Sequence, residues 1–272
     1  MLHLAALLLF AGSLHSADSQ TTTKAAEEKI RVLPVDPTPE SESIILTIAL
    51  PKQNELVQGN PVWAQIRVDG YPLGTDSQFQ RNDELVTTDL GQTVHVVIDN
   101  NPYFPINGPS LSPFDENGFY YNSRYKFEIP FTLKEGMHTI RIFPARSFGE
   151  SLKKENTFMA SYFYVGKVQD NPDFSLDGPY ITYNEPSDQL PLSSKKPILL
   201  DFYLTNCELS TDGFKVRLTI DGSIRRILTS WQPYYIYGLS KGNHTIRLEL
   251  LNGSNKVAPG AFNSVQRTIS VH

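Results

Sequence analysis

Apolar residues recur at every second position through several short runs of this chain. In PVWAQIRV, Val62, Ala64, Ile66 and Val68 alternate with Trp63, Gln65 and Arg67; in VHVVID, Val94, Val96 and Ile98 share one parity. PILLDFYL repeats the pattern with Ile198, Leu200, Phe202 and Leu204, and VRLTID with Val216, Leu218 and Ile220. Successive side chains of a strand point to opposite faces, so a period of two predicts half-buried strands. No stretch carries the periodicity of a long helix.

The pattern is written twice. GMHTIR (Gly136 to Arg141) returns as GNHTIR (Gly242 to Arg247), so that His138 and His244 stand 106 positions apart. At that offset Leu133 falls on Leu239 and Val165 on Val271, and upstream Tyr125 meets Trp231, Ile129 meets Tyr235 and Phe131 meets Tyr237. Each unit has one order: a Pro-led strand, a strand ending in Ile-Asp, an aromatic strand, the hexamer and a last strand. Half-buried strands in units of this size predict an all-β fold of two tandem immunoglobulin-like β-sandwiches.

Within each hexamer the histidine begins the buried row of its strand: His138 with Ile140 and Ile142, His244 with Ile246, Leu248 and Leu250. There it can cap the end of the core and hydrogen-bond across the turn with one ring nitrogen. A metal role needs several converging ligands, and none sits at ligand spacing. Asp99 and Asp221 follow a strand in both units, as turn residues do. The hexamer and its preceding Leu-x-x-Gly resemble a turn-and-strand of bacterial immunoglobulin-like repeats in exported proteins. That resemblance implies the fold and an exported location. Such modules serve adhesion, spacing and ligand binding alike, so it implies little about activity.

The N-terminus, MLHLAALLLFAGSLHSADSQ, is apolar from Leu4 to Leu14, too short to span a bilayer but suited to a signal-peptide core, although no Lys or Arg precedes it. A small-x-small site at Ala17–Ser19 predicts a signal peptide over 1–19. Residues 20–40, with three prolines, read as a flexible lead-in, 41–166 as the first sandwich, 167–175 as a linker and 176–272 as the second sandwich. No second long apolar run follows, so no integral membrane span is expected in the mature chain. The expected location is secreted or periplasmic.

Composition narrows the function classes. A net charge of −5 with only short basic pairs disfavours nucleic acid. Cys207 is the single cysteine, which excludes an internal disulfide. No Gly-x-Ser-x-Gly, His-Glu-x-x-His, phosphate loop or dinucleotide fingerprint is present, so neither an enzyme nor a cofactor is expected. The charged loop Arg146–Asn156 reads as a solvated hairpin. Two Asn-x-Ser/Thr sequons, at Asn243 and Asn252, matter only in a eukaryotic secretory route.

One segment fits no strand pattern. Between the Ile-Asp and the hexamer the first unit runs 37 residues against 21 in the second, the excess falling in NPYFPINGPSLSPFDENGFYY. Its Tyr103, Phe104, Phe114, Phe119, Tyr120 and Tyr121 form a candidate binding loop, since aromatic faces stack on sugars or on apolar protein surface. The same rings could instead fold back over the sandwich edge. Trp63 points away from the core face, toward either the neighbouring domain or a binding surface. These features favour a non-enzymatic binding or structural module of the cell envelope or exterior that contacts a protein partner through loops or a sheet edge. A carbohydrate-binding accessory protein using the aromatic loop, with a glycan as partner, is the alternative.

Overall fold

The computed structural model describes residues 30–40, 43–108 and 124–272. The first strand, β1 (Arg31–Pro34), is followed by β2 (Ile45–Leu50), β3 (Leu56–Val57), β4 (Trp63–Asp69), a single helical turn α1 (Arg81–Glu84), β5 (Thr93–Ile98), β6 (Phe104–Ile106), β7 (Arg124–Glu128), β8 (Gly136–Ala145) and β9 (Met159–Val165). Strands β2 to β9 build the first sandwich from a three-stranded sheet, β2-β4-β7, and a five-stranded sheet, β3-β9-β8-β5-β6. A 3-10 turn at Pro172–Phe174 leads to β10 (Tyr180–Glu185), β11 (Ile198–Thr205), β12 (Lys215–Ile220), β13 (Ile224–Leu228), β14 (Tyr234–Tyr237), β15 (Gly242–Leu251) and β16 (Ser264–Val271). The second sandwich faces β1-β14-β11-β10 against β13-β12-β15-β16. The chain is all-β, two tandem immunoglobulin-like sandwiches. Among the described residues no helix is long and apolar enough to cross a membrane.

The alternating positions fill the cores as their parity requires. Val62, Ala64, Ile66, Val68, Val94, Val96, Ile98, Ile140 and Ile142 are buried together in the first core. Ile198, Leu200, Phe202, Leu204, Val216, Leu218, Ile220, Ile246, Leu248 and Leu250 are buried in the second. Burying one such side chain contributes about 1.5–3 kcal/mol, so these rows hold each pair of sheets together. Ile140 and Ile246 sit at equivalent points, opposite Ile98 and Ile220.

Three expectations need correction. The gapless offset matches Ile129 with Tyr235, but Ile129 donates its amide to Val62 while Ile236 lies opposite Ile198, so the aromatic strands correspond one residue further along. Residues 30–40, read as part of a flexible lead-in, instead carry β1, which runs antiparallel along β14 with Val32 opposite Ile236 and so belongs to the second sandwich. Ile30 drops into that second core. The loop Arg146–Asn156 is not a solvated hairpin: Arg146, Ser147, Phe148, Glu150, Ser151 and Leu152 are all buried. Glu150 and Lys153 are ion-paired inside the molecule, to Arg81 and Asp201, while Lys154 and Glu155 stay exposed at its tip, a division that composition cannot reveal.

Candidate functional site

The repeated histidines are joints. His138 Nδ1 lies 2.7 Å from Asp99 Oδ2 and its Nε2 lies 2.8 Å from the Lys134 carbonyl, while Thr139 donates its amide to Asp99 Oδ1 at 2.8 Å. His244 repeats this with Asp221 at 2.7 Å, the Ser240 carbonyl at 2.9 Å and the Thr245 amide on Asp221 at 2.8 Å. Both ring nitrogens are engaged, not one. Asp99 and Asp221 hold left-handed backbone, φ 51° and 50°, which Asp tolerates better than most residues and which turns each carboxylate back toward the hexamer. Burial pulls His138 down, but the hydrogen bonds to Asp99 and Lys134 and the Asp99 charge outweigh it, leaving the imidazole above its usual value.

The outer face of β5 and β8 is covered by β10 and β11 of the second sandwich. His95 Nδ1 meets Asn184 Oδ1 at 2.6 Å, Arg141 donates to Thr182 Oγ1 at 2.7 Å, and Tyr103 donates to Glu185 Oε1 at 2.5 Å. Val97, Tyr103, Phe143 and Tyr203 form an apolar cluster between the sheets. A bulge in β10 makes this possible: Tyr183 faces Phe202 and Glu185 faces Asp201, so Asn184 is extra, and both Asn184 and Glu185 reach the first sandwich. Burial pushes the Glu185 carboxyl up to about 8 against the hydrogen bonds from Tyr103 and Ser187. It pulls His95 down to about 4, although the Asn184 hydrogen bond opposes the shift.

Ser151, Lys153 and Asp201 come together here, a grouping that on an open surface suggests a nucleophile and its base. Here Ser151 and Asp201 are both sealed from solvent, and the lysine is committed to an ion pair. Lys153 ion-pairs with Asp201 and donates to Ser151 Oγ at 3.0 Å, while Ser151 donates to Asp201 Oδ2 at 2.5 Å. The trio fastens the buried loop to β11.

Of the residues singled out from the sequence, the described ones, Tyr103, Phe104 and Trp63, do not form one patch. Tyr103, stacked on His95 at 3.6 Å, is sealed in the junction and presents no ring to a ligand. Phe104 packs edge-on to Phe127 at 5.7 Å and Phe131 at 6.4 Å, against the first core. Phe114, Phe119, Tyr120 and Tyr121 lie outside the described residues. Trp63 does stand on a surface: it is 48% exposed on the outward face of β2-β4-β7, with Lys126 Nζ 5.2 Å over its ring. That face carries Gln65 opposite Lys126, Arg67 opposite Thr47 and Arg124, and at its far end Ile45, 55% exposed, opposite Asp69. The two apolar anchors are about 20 Å apart along the strands. Ile45 escaped the sequence reading because ILTIAL shows no clean alternation.

No family model matches this chain, and no curated protein matches it. Among solved structures it is similar to the fibronectin(III)-like modules of Clostridium thermocellum CbhA, at 12% identity and TM-score 0.25, over 84% of this chain and 93% of that one. A chimeric titin Z1Z2-Z1Z2 tandem gives 14% identity and TM-score 0.20, over 83% and 97%. A Ca2+-stabilized ice-binding adhesin of an Antarctic bacterium gives 11% and 0.22, over 88% and 51%.

Proposed function

We propose that the protein is an exported, non-enzymatic binding module of the cell envelope or exterior, and that it holds a protein partner on the outward face of β2-β4-β7. The observation that carries this reading is the exposure of Trp63 on a rigid sheet, with Lys126 over its ring and Glu128 opposite it across the strands. Tryptophan exposed in a charged surround is the residue type that most often dominates a protein interface, and the sheet holds it at no extra ordering cost. The buried junction supports the same reading, because it fixes both sandwiches as one presenting frame. The N-terminal apolar run supports export.

A photocrosslinking amino acid placed at Trp63, in the organism that encodes the chain, tests it. The expected result is a discrete protein adduct that is absent when the same group replaces exposed Val168. Saturable binding of a soluble glycan that is abolished by Trp63→Ala, with no protein adduct, would overturn the protein reading in favour of carbohydrate.

A further inference from the structure

The sheet face that the junction uses in the first sandwich is present again in the second, and there it is open. Cross-strand register establishes the correspondence. Val97 lies opposite Arg141 as Thr219 lies opposite Arg247, and His95 lies opposite Phe143 as Arg217 lies opposite Glu249. In the first sandwich all four residues are buried beneath β10 and β11, with the Arg141 guanidinium 4.1 Å over the Phe262 ring. In the second, Thr219 and Glu249 lie buried at the floor, while Arg217 is half-buried and Arg247, with Gln266 beside it, is exposed.

The open copy differs in chemistry as well as cover. Its apolar centre is replaced by charge. Arg217, Arg225, Arg247, Thr219, Thr245 and Gln266 line a cleft of about 200 Å³. Arg217 Nε donates to Glu249 Oε2 at 2.8 Å, so one guanidinium is neutralised within the cleft. Arg247 is held by two bonds to the neutral amide of Gln266, Nε at 3.1 Å and Nη2 at 2.8 Å. Neither Arg225 nor Arg247 makes an ion pair within 4 Å among the described residues, and both share the charge of Glu249, whose hydrogen bond goes to Arg217. Ile227, 51% exposed, stands opposite Arg217 at the edge.

The geometry points to this cleft as a docking site for an acidic stretch of a protein partner, whose carboxylates Arg225 and Arg247 receive. Two observations favour a polypeptide. The occupant of the equivalent face in the first sandwich is a protein sheet, and it brings the Asp201 carboxylate onto Lys153 of the first sandwich. The cleft also offers no aromatic ring for a sugar to stack on, but sets the apolar Ile227 beside its arginines. Guanidinium forks suit carboxylates, pairing two parallel N–H donors with two oxygens.

The test uses the full chain with a fluorescent deca-glutamate peptide, a deca-glutamine peptide and polygalacturonate. Deca-glutamate should bind saturably, more tightly than deca-glutamine, and more weakly as salt rises. Arg225→Glu with Arg247→Glu should weaken it by roughly tenfold, while Lys195→Glu with Lys256→Glu, a charge-matched change at exposed positions elsewhere, should leave it unchanged. Circular dichroism and melting of each variant separate lost binding from lost fold. Equal binding of the two peptides, or indifference to the Arg225/Arg247 reversal in a folded chain, would overturn the inference. So would tighter, arginine-dependent binding of polygalacturonate, which would assign the cleft to anionic glycan, or self-association of the chain removed by the same reversal, which would assign it to a second copy. Trp63→Ala should bind the peptide like the unaltered chain, so this inference and the Trp63 reading can fail separately.

Discussion

Asp99 Oδ2 lies 2.7 Å from His138 Nδ1, and the other oxygen of the same carboxylate takes the amide of Thr139. One side chain thus closes the turn after β5 onto the start of β8, and Asp221 does the same for His244 in the second sandwich. The side chain of Asp99 is 15% exposed and that of Asp221 38%. Water can replace more of what Asp221 supplies. Asp99→Ala should therefore cost about 2 kcal/mol of stability and Asp221→Ala about 1 kcal/mol. Denaturant unfolding with matched slopes measures both, and an equal or reversed cost would mean that the turns are not held this way.

How much of this was legible beforehand follows from what alternation can report. Val94, Val96 and Ile98 announce their own core because they share a parity, and so do their counterparts Val216, Leu218 and Ile220. The other parity, Thr93, His95 and Val97, reads as a mixed outer face, yet it is as buried as the first. What covers it is a second sheet contributed from far along the chain, and no local period encodes that. Tyr103 looked like a binding aromatic for the same reason: its partner, Glu185, is 82 residues away. Trp63 was legible as outward-facing, but only its exposure in the folded chain shows that the neighbouring sandwich does not cover it.

Glu185 and His95 should pull the pH dependence of stability in opposite directions. Glu185 is held neutral in the fold, its carboxyl raised from 4.5 to about 8 by burial. Its contribution is full below pH 4.5 and is lost as the pH rises through about 8. His95 is also held neutral, lowered from 6.5 to about 4 by burial, so its contribution is full above pH 6.5 and is lost as the pH falls through about 4. Glu185→Gln keeps an acceptor for Tyr103 but cannot ionise. Its melting temperature should fall less than that of the unaltered chain between about pH 5 and pH 8, a difference on the order of a few kcal/mol at the alkaline end. Parallel melting curves across that range would show that Glu185 does not ionise at the cost of the fold.

Gly149 is the point at which the buried loop passes closest to β10. Its φ is +88°, and a Cβ there would stand 2.9 Å from Glu185 Cγ. Gly149→Ala should cost about 1–3 kcal/mol, from backbone strain together with the displacement of Glu185. The double variant Gly149→Ala with Glu185→Ala separates the two terms. Removing the opposing side chain should recover the steric part, so the double variant should cost less than the sum of the two single costs. Strict additivity would place the whole penalty in the backbone.

Strand β1 and the residues after it tie segment 30–40 to both sandwiches. It covers the edge of β14, places Ile30 in the second core, and leads to Thr38, whose amide donates to Glu150 at 2.8 Å, and Glu40, which accepts from the Lys153 amide at 2.7 Å. A chain beginning at residue 43 would leave the edge of β14 unpaired, the Ile30 site vacant and Glu150 short of two donors. The apolar loss alone is about 1.5–3 kcal/mol, and an unpaired edge strand invites self-association. The shortened chain should melt at lower temperature and sediment as larger species. A synthetic peptide of residues 30–40 added in trans should reverse both effects in proportion to its concentration, because ligand binding stabilises a fold by mass action. If the peptide changes neither the melting temperature nor the sedimentation, β1 is a passenger on a sandwich that is complete without it.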